Sequence, residues 1–226
     1  MNSHQTDRLG IIRLFSDAPL ATQSFIWLRW RLTPYRRIAS ALPDRGRILD
    51  LGSGHGLLSL ALTLGSSQRE IIGVDHDAER VRIAETALAR AGSSSTPRFQ
   101  VGDLLESVRA FPNSSLAGIA MIDILHYFDD PAQRALLAEA ARVLEPGGII
   151  AMREVNPAGG IASAWNRLYE SLSLRVGFTR SLRREMRFRS PAGWTTMLET
   201  VGFVVRSEPC GSPVFSDVLF TGERAP

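Results

Sequence analysis

Short apolar segments alternate with amphipathic segments along most of the chain. Continuous apolar runs are typical of buried strands, and apolar residues spaced three or four positions apart are typical of helices. The predicted strands are Arg47–Leu51, Glu70–Val74, Arg98–Val101, Ala117–Ile122 and Gly148–Arg153, and the helices between them are Leu57–Leu64, Asp77–Ala91, Asp103–Ala110 and Pro131–Leu144. This alternation predicts an α/β fold, in which helices cover both faces of a parallel sheet.

Further segments flank this alternating core. Residues 20–42 show helical spacing, and Pro34 should divide them into two helices, with Thr33 able to cap the second. After the fifth strand, an Arg-rich helical insertion is predicted over Ala162–Phe188. The remaining predicted elements are a turn at Glu145–Gly148 that leads into the fifth strand, a helix over Pro191–Val201, and two closing strands over Phe203–Ser207 and Val214–Thr221.

We expect one domain made of four parts. These are an N-terminal helical cap (1–45), a core (46–155), a helical insertion that could act as a lid (156–190), and a closing helix with strands (191–226). No repeat, low-complexity tract or interdomain linker interrupts them.

Composition narrows the class of protein. The chain has 226 residues, 44% of them hydrophobic, which suffices for one α/β domain. Cys210 is the one cysteine, so no internal disulfide is expected. We find neither a signal-peptide pattern nor an apolar run of membrane-spanning length, and therefore expect a cytoplasmic protein. The sequence contains no Lys, which excludes a lysine Schiff base and a phosphate-binding P-loop.

The most informative segment joins the first strand to the first helix of the core. It runs Ile48-Leu49-Asp50-Leu51-Gly52-Ser53-Gly54-His55-Gly56, so an apolar strand with an acid near its end leads into three alternate glycines. Glycines allow a sharp turn and let a ligand lie against bare main chain. A carboxylate beside them would repel a pyrophosphate and attract a cationic ligand.

Three acids lie at the carboxyl ends of the first three predicted strands, at the edge where open α/β sheets bind ligands. Asp75 can accept both hydroxyls of a ribose, Asp103 can accept from an exocyclic amine, and Asp50 can hold an ammonium group directly or through water. Together these groups describe S-adenosylmethionine. Each acid could instead be a helix N-cap, although this explains poorly why all three follow successive strands.

A nicotinamide dinucleotide is the competing ligand. Its fingerprint is G-x-G-x-x-G or the alanine variant, whereas this chain has Leu57 at the third small position. Asp75 would suit either cofactor and does not decide between them.

These segments resemble the successive motifs of the class I S-adenosylmethionine-dependent methyltransferases. The resemblance rests on Asp50–Gly56, Asp75, Asp103, Ile119–Phe128 and Leu144–Val155. It implies a Rossmann-like, doubly wound seven-stranded sheet whose last strand is antiparallel, and S-adenosyl-L-methionine as cofactor. It also implies the cofactor contacts, namely Gly52, Gly54 and Gly56 of the loop, with Ser53, around the methionine part, Asp75 on ribose, and Asp103 with Leu104 on adenine, whose ring His76 flanks.

The segment Met121–Phe128 follows the fourth strand and should face the transferable methyl group. Asp123 can touch the amino-acid end of the cofactor. His126 is the candidate general base, because imidazole titrates near neutrality and could take a proton from a phenol or enol. Tyr127 could also line the pocket. Core packing is the alternative role for both, and no spacing of His and Cys predicts a metal.

The substrate side is predicted from the two flanking helical segments and the end of the fifth strand. The candidate contacts are Trp27, Trp30, Trp165 and Tyr169, which suit a flat or elongated apolar acceptor, and the polar Arg153, Glu154 and Asn156. Most of the aromatic residues could instead cover the sheet, and the polar residues could brace the insertion. An Arg-rich run, comprising Arg175, Arg180, Arg183, Arg184, Arg187 and Arg189, could be a solvated face, an anion site or a docking patch for an acidic carrier protein.

The sequence thus predicts a methyltransferase that acts on the oxygen or carbon of a small, aromatic or polyketide-like acceptor. The segments Leu125–Phe128 and Met152–Asn156 are similar to those of bacterial methyltransferases of aryl-polyene or related polyketide pathways. The alternatives are a catalytically inactive S-adenosylmethionine-binding scaffold and an RNA methyltransferase, although the net charge of +3 is small for binding nucleic acid. A homodimer is also compatible with the sequence.

Overall fold

A single seven-stranded sheet organises the chain in the computed structural model, which describes residues 8–91, 97–158, 186–211 and 216–225. The strands are β1 (Gly46–Leu51), β2 (Arg69–Asp75), β3 (Arg98–Val101), β4 (Leu116–Ile122), β5 (Leu144–Val155), β6 (Phe203–Pro209) and β7 (Asp217–Arg224), in the spatial order β3-β2-β1-β4-β5-β7-β6. Only β7 is antiparallel to its neighbours. The predicted Rossmann-like sheet with an antiparallel last strand is confirmed.

Helices cover both faces of this sheet. They are α1 (Arg8–Arg13), α2 (Leu20–Leu32), α3 (Tyr35–Ala41), α4 (Leu57–Gly65), α5 (Ala78–Ala91), α6 (Leu104–Arg109), α7 (Asp130–Val143) and α8 (Pro191–Thr200), with a turn of 3-10 helix over Leu125–Tyr127. Asp129 and Ser190 cap α7 and α8 by accepting hydrogen bonds from backbone amides. The helix α1 was not predicted.

Two apolar layers form the core, because successive residues of a strand point to opposite faces. Ile48 and Ile71 belong to the layer that includes residues of α1 to α5. Leu49, Ile119 and Met152 belong to the layer that includes residues of α6, α7 and α8. Both layers hold the strand ends in place, so that the loops after β1, β2, β3 and β4 meet at one edge. In the part of the chain that the structure describes, no helix is long and apolar enough to cross a membrane.

Two local predictions are wrong. Pro34 separates α2 from α3 as expected, but Thr33 does not cap α3; the cap position is Pro34, and no side chain bonds there. Thr33 instead ends α2, where its amide donates to the Arg29 carbonyl at 2.9 Å.

The predicted turn at Glu145–Gly148 lies inside β5, because Leu144 pairs with Leu116 before the register shifts to Ile149 opposite Gly118. The intervening residues form an irregularity in the strand, with Gly147 at a φ of 77°.

Candidate active site

The glycine loop between β1 and α4 adopts a conformation that glycine alone reaches easily. Gly52, Gly54 and Gly56 have φ angles of 72°, 53° and 74°, in the left-handed region that side chains disfavour. The loop closes onto β2, since the Gly52 and Ser53 amides donate to the Val74 carbonyl at 2.8 and 3.0 Å. A Cβ added at Gly54 would meet nothing within 4 Å, so the main chain there borders open space that a ligand could fill.

Asp75, at the end of β2, is bound to this loop. Its carboxylate accepts from the Gly54 amide and from the Asp77 amide, each at 2.9 Å, and the residue is buried. An ionised carboxylate has about four lone-pair positions, so Asp75 keeps acceptor capacity for the two hydroxyls of a ribose. His76 is exposed beside it, with its Nδ1 3.4 Å from Asp75 Oδ1.

Asp103 follows β3 at the same edge and is exposed. Its Oδ1 accepts from the Glu106 amide at 3.0 Å, so it does cap α6. Capping uses one oxygen, and the other keeps acceptor capacity for an exocyclic amine. The next residue, Leu104, is buried. The capping and ligand-binding interpretations of Asp103 are therefore compatible.

Asp50 lies inside the core at the end of β1, with 2% of the residue exposed. It accepts a hydrogen bond of 2.6 Å from the Ser59 hydroxyl of α4. Burial raises the pKa of Asp50 to about 6, the bond from Ser59 opposes this shift, and the nearby charge of Asp75 adds to it. Asp50 therefore leaves little surface for direct contact with an ammonium group.

Asp123 directly follows β4 and lies in the left-handed region, with a φ of 57°. Its Oδ2 lies 2.5 Å from Nη1 of Arg153 and 3.0 Å from Nη2 of Arg29, and Arg153 also pairs with Asp217 of β7. Burial opposes the ionisation of Asp123, but the charges of Arg153 and Arg29 outweigh it and hold the pKa of Asp123 below its ordinary value. Its other oxygen, Oδ1, is buried and accepts no hydrogen bond within the described ranges.

Comparison with known proteins agrees with this geometry. Residues 48–148 match the methyltransferase domain family. The chain is 31% identical over 115 residues to a probable methyltransferase, ltbC, of Aspergillus luteorubrus, over 47% of this chain and 39% of that protein. It is 29% identical over 172 residues to a demethylmenaquinone methyltransferase of Deinococcus radiodurans, over 71% of this chain and 68% of that protein. These matches support a class I S-adenosylmethionine-dependent methyltransferase.

A solved structure shows the same fold. An O-methyltransferase family protein from Burkholderia thailandensis superimposes with a TM-score of 0.70 at 17% identity, over 94% of this chain and 62% of that chain. At this identity the likeness concerns the fold alone, since one fold carries many functions.

The described residues fit S-adenosyl-L-methionine, the cofactor of these methyltransferases. Open space borders Gly54, where the methionine part would lie. Asp75 and Asp103 retain acceptors for ribose and for the adenine amine, and the buried Oδ1 of Asp123 offers an acceptor for an ammonium group. Among the residues that the structure describes, no three His, Cys, Asp or Glu side chains are grouped to hold a metal ion.

His126 of the methyltransferase forms a fully buried pair with Glu154 of β5. Its Nδ1 lies 2.7 Å from Glu154 Oε2, and the other oxygen, Oε1, accepts from the Leu125 amide at 2.7 Å. The imidazole ring also stacks on Phe188, with centroids 5.1 Å apart, and lies 4.2 Å from the ring centroid of Tyr127. The protein therefore fixes the orientation of the imidazole on several sides.

Several residues predicted to contact the substrate pack against other protein groups in the structure. Arg153 and Glu154 are buried in the pairs described above. Trp30 is buried and stacks on Tyr35 at 5.2 Å, so it packs within the N-terminal cap. Trp27 is 49% exposed, with the Arg31 guanidinium 5.8 Å from its ring centroid. Asn156 is half-buried and accepts from the Ala158 amide at 3.1 Å.

Only the end of the predicted Arg-rich run lies within the described ranges. Arg189 donates from Nε to Gln133 Oε1 at 2.8 Å, pairs with Asp130 at 2.7 Å, and lies over the ring of Trp194. The Arg187 amide donates to the His126 carbonyl at 2.8 Å. Arg189 thus anchors the end of the insertion to α7. Trp165, Tyr169, Arg175, Arg180, Arg183 and Arg184 lie outside the described residues.

Sequence reasoning missed Arg29 and Gln133. Arg29 contacts Asp123 from the N-terminal cap, and Gln133 joins α7 to the segment that follows the insertion. No local signal distinguishes Arg29 from Arg31 on the same helix, or marks Gln133 as buried among the polar residues of α7. Their roles become apparent only from contacts between elements that are distant in sequence.

Proposed function

We propose that this chain transfers the methyl group of S-adenosyl-L-methionine to a small apolar acceptor that carries an ionisable hydroxyl or enol, such as a quinol or a polyketide-like phenol. The buried His126–Glu154 pair, close to Asp123 at the ligand-binding edge, is the observation that carries this proposal. The demethylmenaquinone methyltransferase of Deinococcus radiodurans supports the acceptor class.

The reaction requires little covalent chemistry from the protein. When bound, the cofactor supplies a methyl group on a positively charged sulfur. The residues of this chain align the acceptor, exclude water and remove the acceptor proton. His126 would take the proton that the acceptor oxygen or carbon loses as it accepts the methyl group.

His126 and Glu154 have distinct roles in this scheme. The interaction of Nδ1 with Glu154 directs proton uptake to Nε2, and the carboxylate stabilises the imidazolium that forms. Glu154 is therefore a positioning residue that acts through His126. Because His126 is 0% exposed beneath Phe188 and Tyr127, an acceptor must displace part of this cover to reach Nε2.

The activity test uses the whole chain with S-adenosyl-L-methionine and either a reduced naphthoquinone or a substituted phenol. We expect one methyl group to be added to the acceptor, detected by mass spectrometry, with stoichiometric S-adenosylhomocysteine. Consumption of cofactor without acceptor methylation, or no turnover with any phenol, enol or quinol, contradicts the proposed acceptor class.

A substitution series tests the base. His126→Asn should lower kcat by about 10²–10⁴-fold and leave cofactor affinity nearly unchanged, with partial recovery at high pH, where the acceptor ionises unaided. Glu154→Gln should lower kcat as well, with less effect on KM, and Glu154→Asp should recover part of the loss. Parental turnover of His126→Asn across the pH range would show that proton removal is not the function of this residue.

The finer assignments stay predictions. They include the choice between oxygen and carbon as the methylated atom, the link to aryl-polyene pathways, the cytoplasmic location, the acidic carrier protein and the homodimer. Trp27 and Asn156 are the described residues that remain proposed acceptor contacts, since both keep exposed surface, Trp27 on α2 and Asn156 directly after β5.

A further inference from the structure

Arg29 links the N-terminal cap to the ligand-binding edge of the sheet. It extends from the last turn of α2 and places Nη2 3.0 Å from Asp123 Oδ2. Its charge lowers the pKa of His55 in the glycine loop and the pKa of Asp123 after β4. Arg29 therefore lies between the glycine loop and the end of β4, the two segments that border the predicted methionine site.

Arg29 differs from the other members of its charge network in exposure. Its side chain is 22% exposed, whereas the side chains of Asp123, Arg153 and Asp217 are 4–5% exposed. Asp123 and Asp217 are both paired with Arg153 without it. The network thus consists of three buried residues, Asp123, Asp217 and the Arg153 that pairs with both, and of the more exposed Arg29, which borders the site.

The same place offers an unused acceptor for a positive charge. Asp123 Oδ1 is buried and has no hydrogen-bond partner among the described residues. A buried acceptor without a donor destabilises the fold, and an ammonium group would supply that donor. A carboxylate next to that ammonium would then face the Arg29 guanidinium, whose planar donors match it in a bidentate manner.

We propose that Arg29 binds the α-carboxylate of the cofactor while Asp123 receives its ammonium, so that the two residues form a site for an amino-acid zwitterion. The inference rests on the proposed function, which requires S-adenosyl-L-methionine to bind at this edge. It makes the N-terminal cap part of the cofactor site and not only a cover for the acceptor.

Calorimetric titration with two ligands tests the site. S-adenosylhomocysteine carries the amino-acid zwitterion, and 5′-methylthioadenosine has the same nucleoside and thioether without it. Arg29→Gln should weaken S-adenosylhomocysteine binding about ten- to hundredfold, the range for losing hydrogen bonds between charged groups. Binding of 5′-methylthioadenosine should stay within about twofold of the parent, and Arg29→Lys should recover part of the lost affinity.

Arg31→Gln is the matched control. Arg31 lies on the same helix, is exposed, and contacts Trp27 instead of Asp123, so this variant should bind both ligands as the parent does. An equal loss of both ligands in Arg29→Gln would indicate a structural role and overturn the inference, as would unchanged binding of both. If the parent chain binds neither ligand, the proposed function itself fails, and the inference fails with it.

Discussion

At the residue scale, His55 shows how a ligand loop can depend on a group that must stay neutral. It lies in the glycine loop, is 7% exposed, and has its ring centroid 5.7 Å from that of Phe25 in α2. Burial lowers the pKa of His55 to about 3, and the charges of Arg80 and Arg29 add to this effect. The imidazole thus packs the cap against the loop as a neutral ring.

The depressed pKa of His55 predicts that the fold loses stability in mild acid. Between about pH 6.5 and pH 3 the unfolded chain binds a proton at His55 that the folded chain does not, so the free energy of unfolding falls as the pH falls through this window. From pH 7 to pH 5 this contribution is about 2 kcal/mol. Urea denaturation should show that His55→Asn loses less stability than the parent over this interval.

Asp50 has the opposite effect on the pH dependence of the free energy of unfolding. Its raised pKa means that the folded chain holds a proton between about pH 3.8 and pH 6 that the unfolded chain releases, so this residue favours the folded state as the pH falls. The parent and His55→Asn both contain Asp50, so the difference between their pH dependences isolates the contribution of His55. The matched control is His76→Asn, at an exposed position of the same edge. A parental pH dependence in His55→Asn would contradict the prediction.

At the element scale, Gln133 connects three segments near His126, namely α7, the turn of 3-10 helix and the segment after the insertion. It is fully buried, and its Nε2 donates to the carbonyls of Leu125 and Phe128, each at 3.0 Å. Its Oε1 accepts from Arg189 after the insertion. One side-chain amide thus forms hydrogen bonds both with the turn of 3-10 helix that carries His126 and with Arg189, which follows the insertion.

Gln133→Leu is expected to destabilise the fold, because the buried carbonyls lose their donor and the Arg189 guanidinium loses an acceptor. The free energy of unfolding should fall by about 1–3 kcal/mol, measured by urea denaturation. Arg134→Ala, at the next and exposed position of α7, should change it by no more than about 0.5 kcal/mol. Equal stability of the two variants would show that the hydrogen bonds of Gln133 do not stabilise the fold.

The elements differ in how far sequence alone could predict them. The strands β1, β2 and β4 are buried on both faces and read as continuous apolar runs, which local pattern reveals directly. The start of β5 was missed because Glu145, Pro146 and two glycines are typical of a turn, yet here they lie in an irregular part of the strand. Asp75 and the glycine loop are conspicuous in the sequence because each ends or follows a strand.

Long-range pairs could not be predicted in this way. The contact of Glu154 with His126, 28 positions away, has no local signal in either segment. The contact of Arg29 with Asp123 joins two elements whose proximity follows only from the packing of α2 over the sheet. Such partners depend on the assembled fold, and periodicity along one element carries no information about them.

At the scale of the whole molecule, the sheet order brings carboxylates from four strands to one edge. Asp50, Asp75, Asp103 and Asp123 follow or end β1, β2, β3 and β4, and Asp75 lies close enough for its charge to raise the pKa of Asp50. Acids so arranged favour a ligand with positive charge and oppose a pyrophosphate. The buried Leu57 also occupies the position where a dinucleotide fingerprint requires a small residue.

Thermal unfolding should therefore distinguish the two cofactors. A ligand at a hundred times its Kd stabilises the folded state by about 2.7 kcal/mol, and each kcal/mol raises Tm by about 2–4 °C in a chain of this size. We expect S-adenosyl-L-methionine at that concentration to raise Tm by about 5–10 °C, and NAD at the same concentration to leave Tm unchanged. Asp75→Ala should lose about a third or more of the rise, because removing its hydrogen bonds weakens cofactor binding by about 1–3 kcal/mol. A rise with NAD that Asp75→Ala abolishes, without a response to S-adenosyl-L-methionine, would mean that this edge binds a dinucleotide despite its acids.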